Sequence, residues 1–218
     1  QTPPNSTGFT LLQMLKIAER FDLRGAAPAD ALHILVETKK RAFMDRERYG
    51  ADPRFEAVPL DLLLSDAQAD AHAAAIDLAR AAIVPPPSAI GGGDTTYFAV
   101  VDAAGNAVSG IQSINSGYGS GVTAGDTGVL LNNRMAYWHL AAGHPNRLQP
   151  GKRVRHTMNA PMVYRDGKLA IVLGTPGADN QVQVNFQVLV SCAVFGMDPQ
   201  QALEAPRWTS SQPGQGSN

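Results

Sequence analysis

The chain has 218 residues, 44 % of them hydrophobic and only 17 % charged, with 18 basic against 19 acidic side chains and a net charge of −1. That composition is globular and carries no basic block, which argues against nucleic-acid binding by phosphate neutralisation. No apolar run approaches the roughly 20 residues of a membrane helix, and a single cysteine, Cys192, rules out an internal disulfide or a cysteine-clustered zinc site.

In chain order, the first third reads helical. Thr7 or Thr10 is placed to cap a helix running to Phe21, with Leu11, Leu12, Leu15 and Ile17 on one side. A second helix is predicted from Asp30 to about Tyr49. Leu32, Leu35, Val36 and Phe43 form its apolar stripe, and the charge run 39–48 is expected to be a solvated face. Ser65 is a natural N-cap for an Ala-rich helix reaching Ala82. The segment VPPPSAIGGGD (84–94) breaks any regular structure.

After Asp94 the hydrophobic period changes to two. TTYFAVVD (95–102), an AGN turn (104–106) and AVSGIQSIN (107–115) read as a β-hairpin. Short strands are predicted at 160–164 and 169–173, joined by a turn at 165–168. Helices follow from Asn180 to Phe195 and from Pro199 to Glu204. Helices, then strands, then helices indicate an α+β layering. The chain opens at Gln1 and closes on SSQPGQGSN (210–218), so it reads as a piece or processed portion of a longer protein. Its location (periplasmic, secreted or cytoplasmic) stays open.

The junction GGGDTT (91–96) is the most informative point. On residues alone it is either an ordinary loop entering a strand or a self-cleavage site. A threonine freed by cutting the preceding bond gains its own α-amine as general base.

The motifs around it resemble the γ-glutamyltranspeptidase family of N-terminal-nucleophile hydrolases. They are DTTYFAVVDAAGNAVS (94–109), GSGVTAGDTGVLLNN (119–133), PGKR (150–153), GTPG (174–177), and the GMD and EAPRW that follow the long C-terminal helix. PPNSTG (3–8) and KKRAFMDRERYGADP (39–53) resemble the end of that family's large subunit. The resemblance implies an αββα sandwich of N-terminal-nucleophile type, incomplete here. Residues 1–94 would be large-subunit-like, and 95–218 small-subunit-like and catalytic.

It further implies cleavage between Asp94 and Thr95, Thr95 as nucleophile, and Ser113 as the hydroxyl that hydrogen-bonds it. Asn115 would contact substrate, and the backbone N–H groups of Gly177 and Ala178 would form the oxyanion hole. No metal and no cofactor are implied. The implied partners are a small-molecule amide and a water or amine acceptor, with no nucleic acid and no membrane. The protein would be a heterodimer of two pieces of one precursor, open to further oligomerisation.

The departures fall where a glutamyl head would bind. The family has Gln-Met-Asp-Asp after LLNN; here stand Arg134, Met135, Ala136 and Tyr137. The family's paired serines are replaced by His156 and Thr157, and the linker 133–150 is short for a lid. With Asn115, the residues Arg134, Tyr137, His156 and Thr157 are the substrate-binding candidates. A guanidinium and an imidazole there favour an anionic acyl group without a free α-amine, of the oxamate or glutaryl type. Authentic glutathione hydrolysis or γ-glutamyl transfer, and an uncleaved non-catalytic binding module, are the alternatives.

Other residues read as structural. His33 and His72 sit on helices, and Cys192 belongs to an apolar face. His139 and His144 flank a loop with no carboxylate spaced to complete a metal site. GSGVTAG (119–125) lacks the ending of a phosphate loop.

Overall fold

The computed structural model describes residues 1–83 and 94–210, so nearly all of the breaker segment 84–94 and most of the polar C-terminal string lie outside it. Helix α1 (Gly8–Ala18) buries Phe9, Leu11, Met14 and Ile17. It ends before Phe21 because its last turn tightens into Arg20 N–H to Ile17 O and Phe21 N–H to Ala18 O bonds. Thr7 is the N-cap residue, but its hydroxyl accepts from Asn159 Nδ2 at 3.3 Å instead of capping.

Helix α2 (Pro28–Tyr49) starts with proline in its first turn and carries Arg46 and Arg48 in its last, as the helix dipole favours. Its charge run is not a solvated face. Lys39, Asp45 and Arg46 are all buried. Lys39 Nζ donates to Ser210 O at 2.7 Å and Arg46 pairs with Asp179 and Glu47, so partners distant in sequence make the burial tolerable.

After a single turn, α3 (Leu60–Leu63), helix α4 (Asp66–Ala74) is capped by Ser65, whose Oγ accepts from Gln68 N at 3.1 Å. It stops well short of Ala82. Ile76 turns into the core beside Ile17 and Ala69, and Asp77 Oδ1 accepts from Ala79 N at 2.8 Å, giving the backbone a local turn in place of a further helical one.

Strands β1 (Asp94–Val101) and β2 (Ala107–Asn115) form the expected antiparallel hairpin. Asp102 Oδ1 accepts from Ala104 N and Asn106 N, and Gly105 adopts φ 83°, which closes its turn. A register shift between Asp94 and Thr95 pairs Asp94 with Asn115 and Thr95 with Ser113. A second hairpin joins β3 (Met162–Arg165) to β4 (Lys168–Val172). Among the described residues the two hairpins are separate two-stranded sheets.

Helix α5 (Asn180–Ala193) and the short α6 (Pro199–Glu204), with its Asp198/Gln201 capping box, complete the chain. Leu11, Met14, Ile34, Leu35 and Phe43 of the first helices pack with Val182, Phe186, Leu189 and Val190 of α5 in one core. This core draws on residues from both sides of the expected division at 94/95. Among the described residues no helix is long and apolar enough to cross a membrane.

Candidate active site

Thr95 stands at the start of β1, where the register shift breaks the ladder; such bulges re-aim side chains beside active sites. Its Oγ1 lies 2.9 Å from Ser113 Oγ on the paired strand. Ser113 Oγ also accepts from Asn115 N at 3.0 Å and from Arg134 Nη2 at 3.0 Å. Arg134 Nη1 donates in turn to Thr157 Oγ1 at 2.8 Å. Five of the residues singled out from the sequence are thus linked through hydrogen bonds, although they come from two strands, a 3₁₀ turn (Arg134–Tyr137) and the loop before β3.

The turn before α5 lies against the same hairpin. There is no room for a side chain at Gly174, where a Cβ would run into the ring of Tyr97 in β1. Three residues on, Gly177 has φ 120° and Ala178 φ 49°, a conformation that a residue with a Cβ adopts only at some cost. The turn is closed by Asn180 N–H to Gly177 O at 2.7 Å and Gln181 N–H to Ala178 O at 3.2 Å. Among the described residues neither the Gly177 nor the Ala178 N–H is taken by an acceptor.

Asp179, next in the chain, is anchored by an ion pair of 2.7 Å to the buried Arg46 of α2. Arg46 also pairs with Glu47 at 2.7 Å, and Glu47 with Arg155 at 3.0 Å. Burial pushes the Glu47 carboxyl up, but Arg155 and Arg46 outweigh it and hold the group at about 2. Sequence reasoning did not find this network. Arg46 lies in the charge run and Asp179 directly follows the GTPGA turn, but nothing in their spacing says that they meet.

The substrate-binding candidates divide. A cleft of about 550 Å³ is lined by Asn5, Arg134, Trp138, Lys152, Arg153 and His156 among others, and by no carboxylate among the described residues. Lys152 and Arg153 are already paired with Glu56 and Asp52. Among the described residues Arg134 has no ion-pair partner, and burial lowers its pKa. His156 accepts from Met158 N at its Nδ1; burial and the Arg134 charge push it down to about 4, so it is neutral at pH 7.

Asn115 is 1 % exposed, with φ 79°; its Nδ2 donates to Asn133 Oδ1 at 2.9 Å and its Oδ1 has no partner among the described residues. Tyr137 does not open onto the cleft. It is buried beside the Arg134 guanidinium, 5.9 Å from its ring centroid, and burial pushes its hydroxyl up to about 12. Thr157, also buried, serves as Arg134's acceptor.

The histidine pair needs a correction. The fold supplies His139 and His144 with a carboxylate that their spacing did not reveal, Glu47 of α2. Their rings stack at 3.4 Å, nearly parallel. His144 Nδ1 accepts from Asn146 N at 3.0 Å, which leaves the proton of the neutral ring on Nε2, and Glu47 is engaged by two arginines. In that arrangement the three do not present free lone pairs to one cation. His33 and His72 are structural, on Asp77 O and Asp45 respectively, each at 2.8 Å.

Known proteins resemble this chain in sequence and in fold. A family model described as gamma-glutamyltranspeptidase matches residues 1–216. The chain is 43 % identical to the glutathione hydrolase-like YwrD proenzyme of Bacillus subtilis, over 95 % of this chain and 39 % of the relative. It is 37 % identical to the oxamate amidohydrolase proenzyme of Klebsiella pneumoniae, over 94 % and 38 %. The cephalosporin acylase structure from Bacillus halodurans superposes with a TM-score of 0.84 at 34 % identity, covering 95 % of this chain and 38 % of that one. The chain therefore spans about two-fifths of the length of these relatives. Its α+β fold is that of the N-terminal-nucleophile type of acylase. With the family model spanning nearly every residue and these relatives alongside, the chain belongs to the gamma-glutamyltranspeptidase family.

Proposed function

We propose that this chain is part of an amide hydrolase or acyltransferase that cleaves itself between Asp94 and Thr95 and then works through an acyl ester on Thr95. One observation carries the reading: the Thr95 hydroxyl sits 2.9 Å from Ser113, on the hairpin whose Tyr97 meets Gly174, three residues before a Gly177 N–H that, like that of Ala178, is unclaimed among the described residues. In self-cleavage, Thr95 Oγ attacks the Asp94 carbonyl carbon and the peptide C–N bond breaks as an ester forms. The nitrogen takes a proton, and water splits the ester into an Asp94 carboxylate and a free Thr95 hydroxyl. In turnover the new α-amine accepts the Thr95 proton as the oxygen attacks the substrate amide. The two N–H groups hold the oxyanion, each worth roughly 10²–10³ in rate. The amine leaves, and water or a second amine resolves the ester. The two pieces remain together as a heterodimer.

For the acyl group, we assign a carboxylate-bearing chain without an α-amine. Among the described residues that line it, the cleft holds no carboxylate to pair with a substrate ammonium. Asn115 and His156, with Arg134 at the wall, would contact it. The proteins named above include an oxamate amidohydrolase and a cephalosporin acylase, which fits this direction; one named glutathione hydrolase-like keeps γ-glutamyl chemistry as the second reading.

The test uses the full-length protein. Intact mass should show two pieces divided before Thr95, and Thr95→Ala should abolish both the cut and amide turnover. An unbroken wild-type chain without activity would leave a binding module. Glutaryl p-nitroanilide should be turned over faster than the γ-glutamyl compound; the reverse preference would restore γ-glutamyl chemistry.

A further inference from the structure

We infer that Arg134 is a positioning residue for the nucleophile: its guanidinium fixes Ser113 as the hydrogen-bond donor to Thr95 Oγ1. The inference rests on the reading of Thr95 as the attacking group and assigns the residue that orients it. A serine hydroxyl has one proton and two lone pairs. Two N–H donors converge on Ser113 Oγ, the Asn115 backbone and Arg134 Nη2, each at 3.0 Å. Two donors on its lone pairs favour Ser113 as the donor along its 2.9 Å contact with Thr95. Thr95 Oγ1 then receives a hydrogen bond, and its own proton is directed away from Ser113, toward the base that removes it.

The guanidinium is held for this task at both ends. Nη1 donates to Thr157 Oγ1 at 2.8 Å, and the Arg134 backbone N–H donates to Asn132 Oδ1 at 2.9 Å. The residue is 6 % exposed, and the Asp179 carboxylate acts on it through space. A cation shielded from water and one hydroxyl removed from the attacking oxygen stabilises the negative charge that develops there. A neutral amide at the same place would supply the hydrogen bond without the charge.

Self-cleavage and turnover use the same oxygen, so Arg134 acts on both, and the first needs no substrate. A residue that only received the substrate's carboxylate would act on binding alone.

The experiment measures, in the full-length protein, the first-order rate of cleavage before Thr95 by intact mass. It also measures kcat and KM for glutaryl p-nitroanilide and its uncharged butyryl counterpart. Arg134→Gln should slow self-cleavage about tenfold to a hundredfold and lower kcat on both compounds similarly, with KM within about threefold. Arg134→Lys should recover part of the loss. Thr157→Val, which removes the guanidinium's second anchor, should move the same quantities in the same direction by a smaller factor. Thermal melts report folding; if Arg134→Gln does not fold, the Lys and Thr157→Val variants decide. Self-cleavage and kcat at wild-type values in folded variants, with any loss confined to KM for the glutaryl compound, would overturn the inference and leave Thr95 untouched. Cleavage before residue 95 in Thr95→Ala would instead overturn the underlying reading.

Discussion

The helical part and the first hairpin solve opposite problems. Around α1, α2 and α5 even charged groups are buried, and Phe43 is fully covered between Lys39 and Arg46, whose cationic groups lie 4.2 and 4.0 Å from its ring centroid. On the β1–β2 hairpin apolar side chains stand outward, Phe98 at 48 % exposure, and the ordered chemistry is confined to the end holding Thr95, Ser113 and Asn115. A two-stranded ribbon is marginal by itself. The hairpin is instead joined to groups from elsewhere: the Arg134 turn through Ser113, and the turn at Gly174, packed on Tyr97 and anchored through Asp179 to α2. The difference teaches that the rigidity of the candidate site is borrowed from the helical part.

The sharpest way to break that view is Arg46→Ala. It leaves Asp179 and Glu47 without their buried cation and should cost about 3–5 kcal/mol in denaturant unfolding. A loss below about 1 kcal/mol would mean that the turn needs no anchor.

Acid should separate the regions next. Glu47 is held at about 2, below its unfolded value, so its stabilisation is complete above about pH 4.5 and is lost as pH falls toward 2. At most about 3 kcal/mol is involved, and Glu47→Gln should flatten that limb. His156, at about 4, also lies below its unfolded value, so its contribution is complete above about pH 6.5 and is lost as pH falls toward 4. His156→Asn should remove that earlier limb alone, as read from unfolding midpoints across pH.

Gly174→Ala tests the contact between turn and hairpin. The added methyl must displace Tyr97, and kcat should fall about tenfold, about 1.4 kcal/mol, with a smaller change in melting temperature. Ala178→Gly should do least. It relieves the positive φ but frees the unfolded chain, so stability should rise by no more than about 1 kcal/mol.

Local chemistry was the legible part of the fold. Ser65 capping α4, the AGN turn, and the Pro199 start of α6 depend on neighbours a few residues away, and each can be read where it stands. Asp77's side chain ended α4 early by a turn that an Ala-rich average hides. The charge run in α2 was misjudged because its burial depends on Asp179 and Arg155, more than a hundred positions distant, which no helical period encodes. The same reason concealed Glu47 beside His139 and His144. At the site, the resemblance singled out Thr95, Ser113, Gly177 and Ala178 as candidates. It gave Arg134 a substrate to hold; the fold sets it in the cleft wall with its guanidinium on Ser113 and Thr157.

The core shared across the 94/95 junction has a consequence for the history of the molecule. While the chain is continuous, α1 and α2 are tethered to α5, and folding is a unimolecular search. If the bond before Thr95 is cut as proposed, the same core becomes an interface between two polypeptides, and refolding becomes a second-order encounter that dilution slows. The uncut chain should recover from denaturant at any concentration, and the cut form only when concentrated. The cut would thus convert an equilibrium fold into one that persists by the slowness of its unfolding.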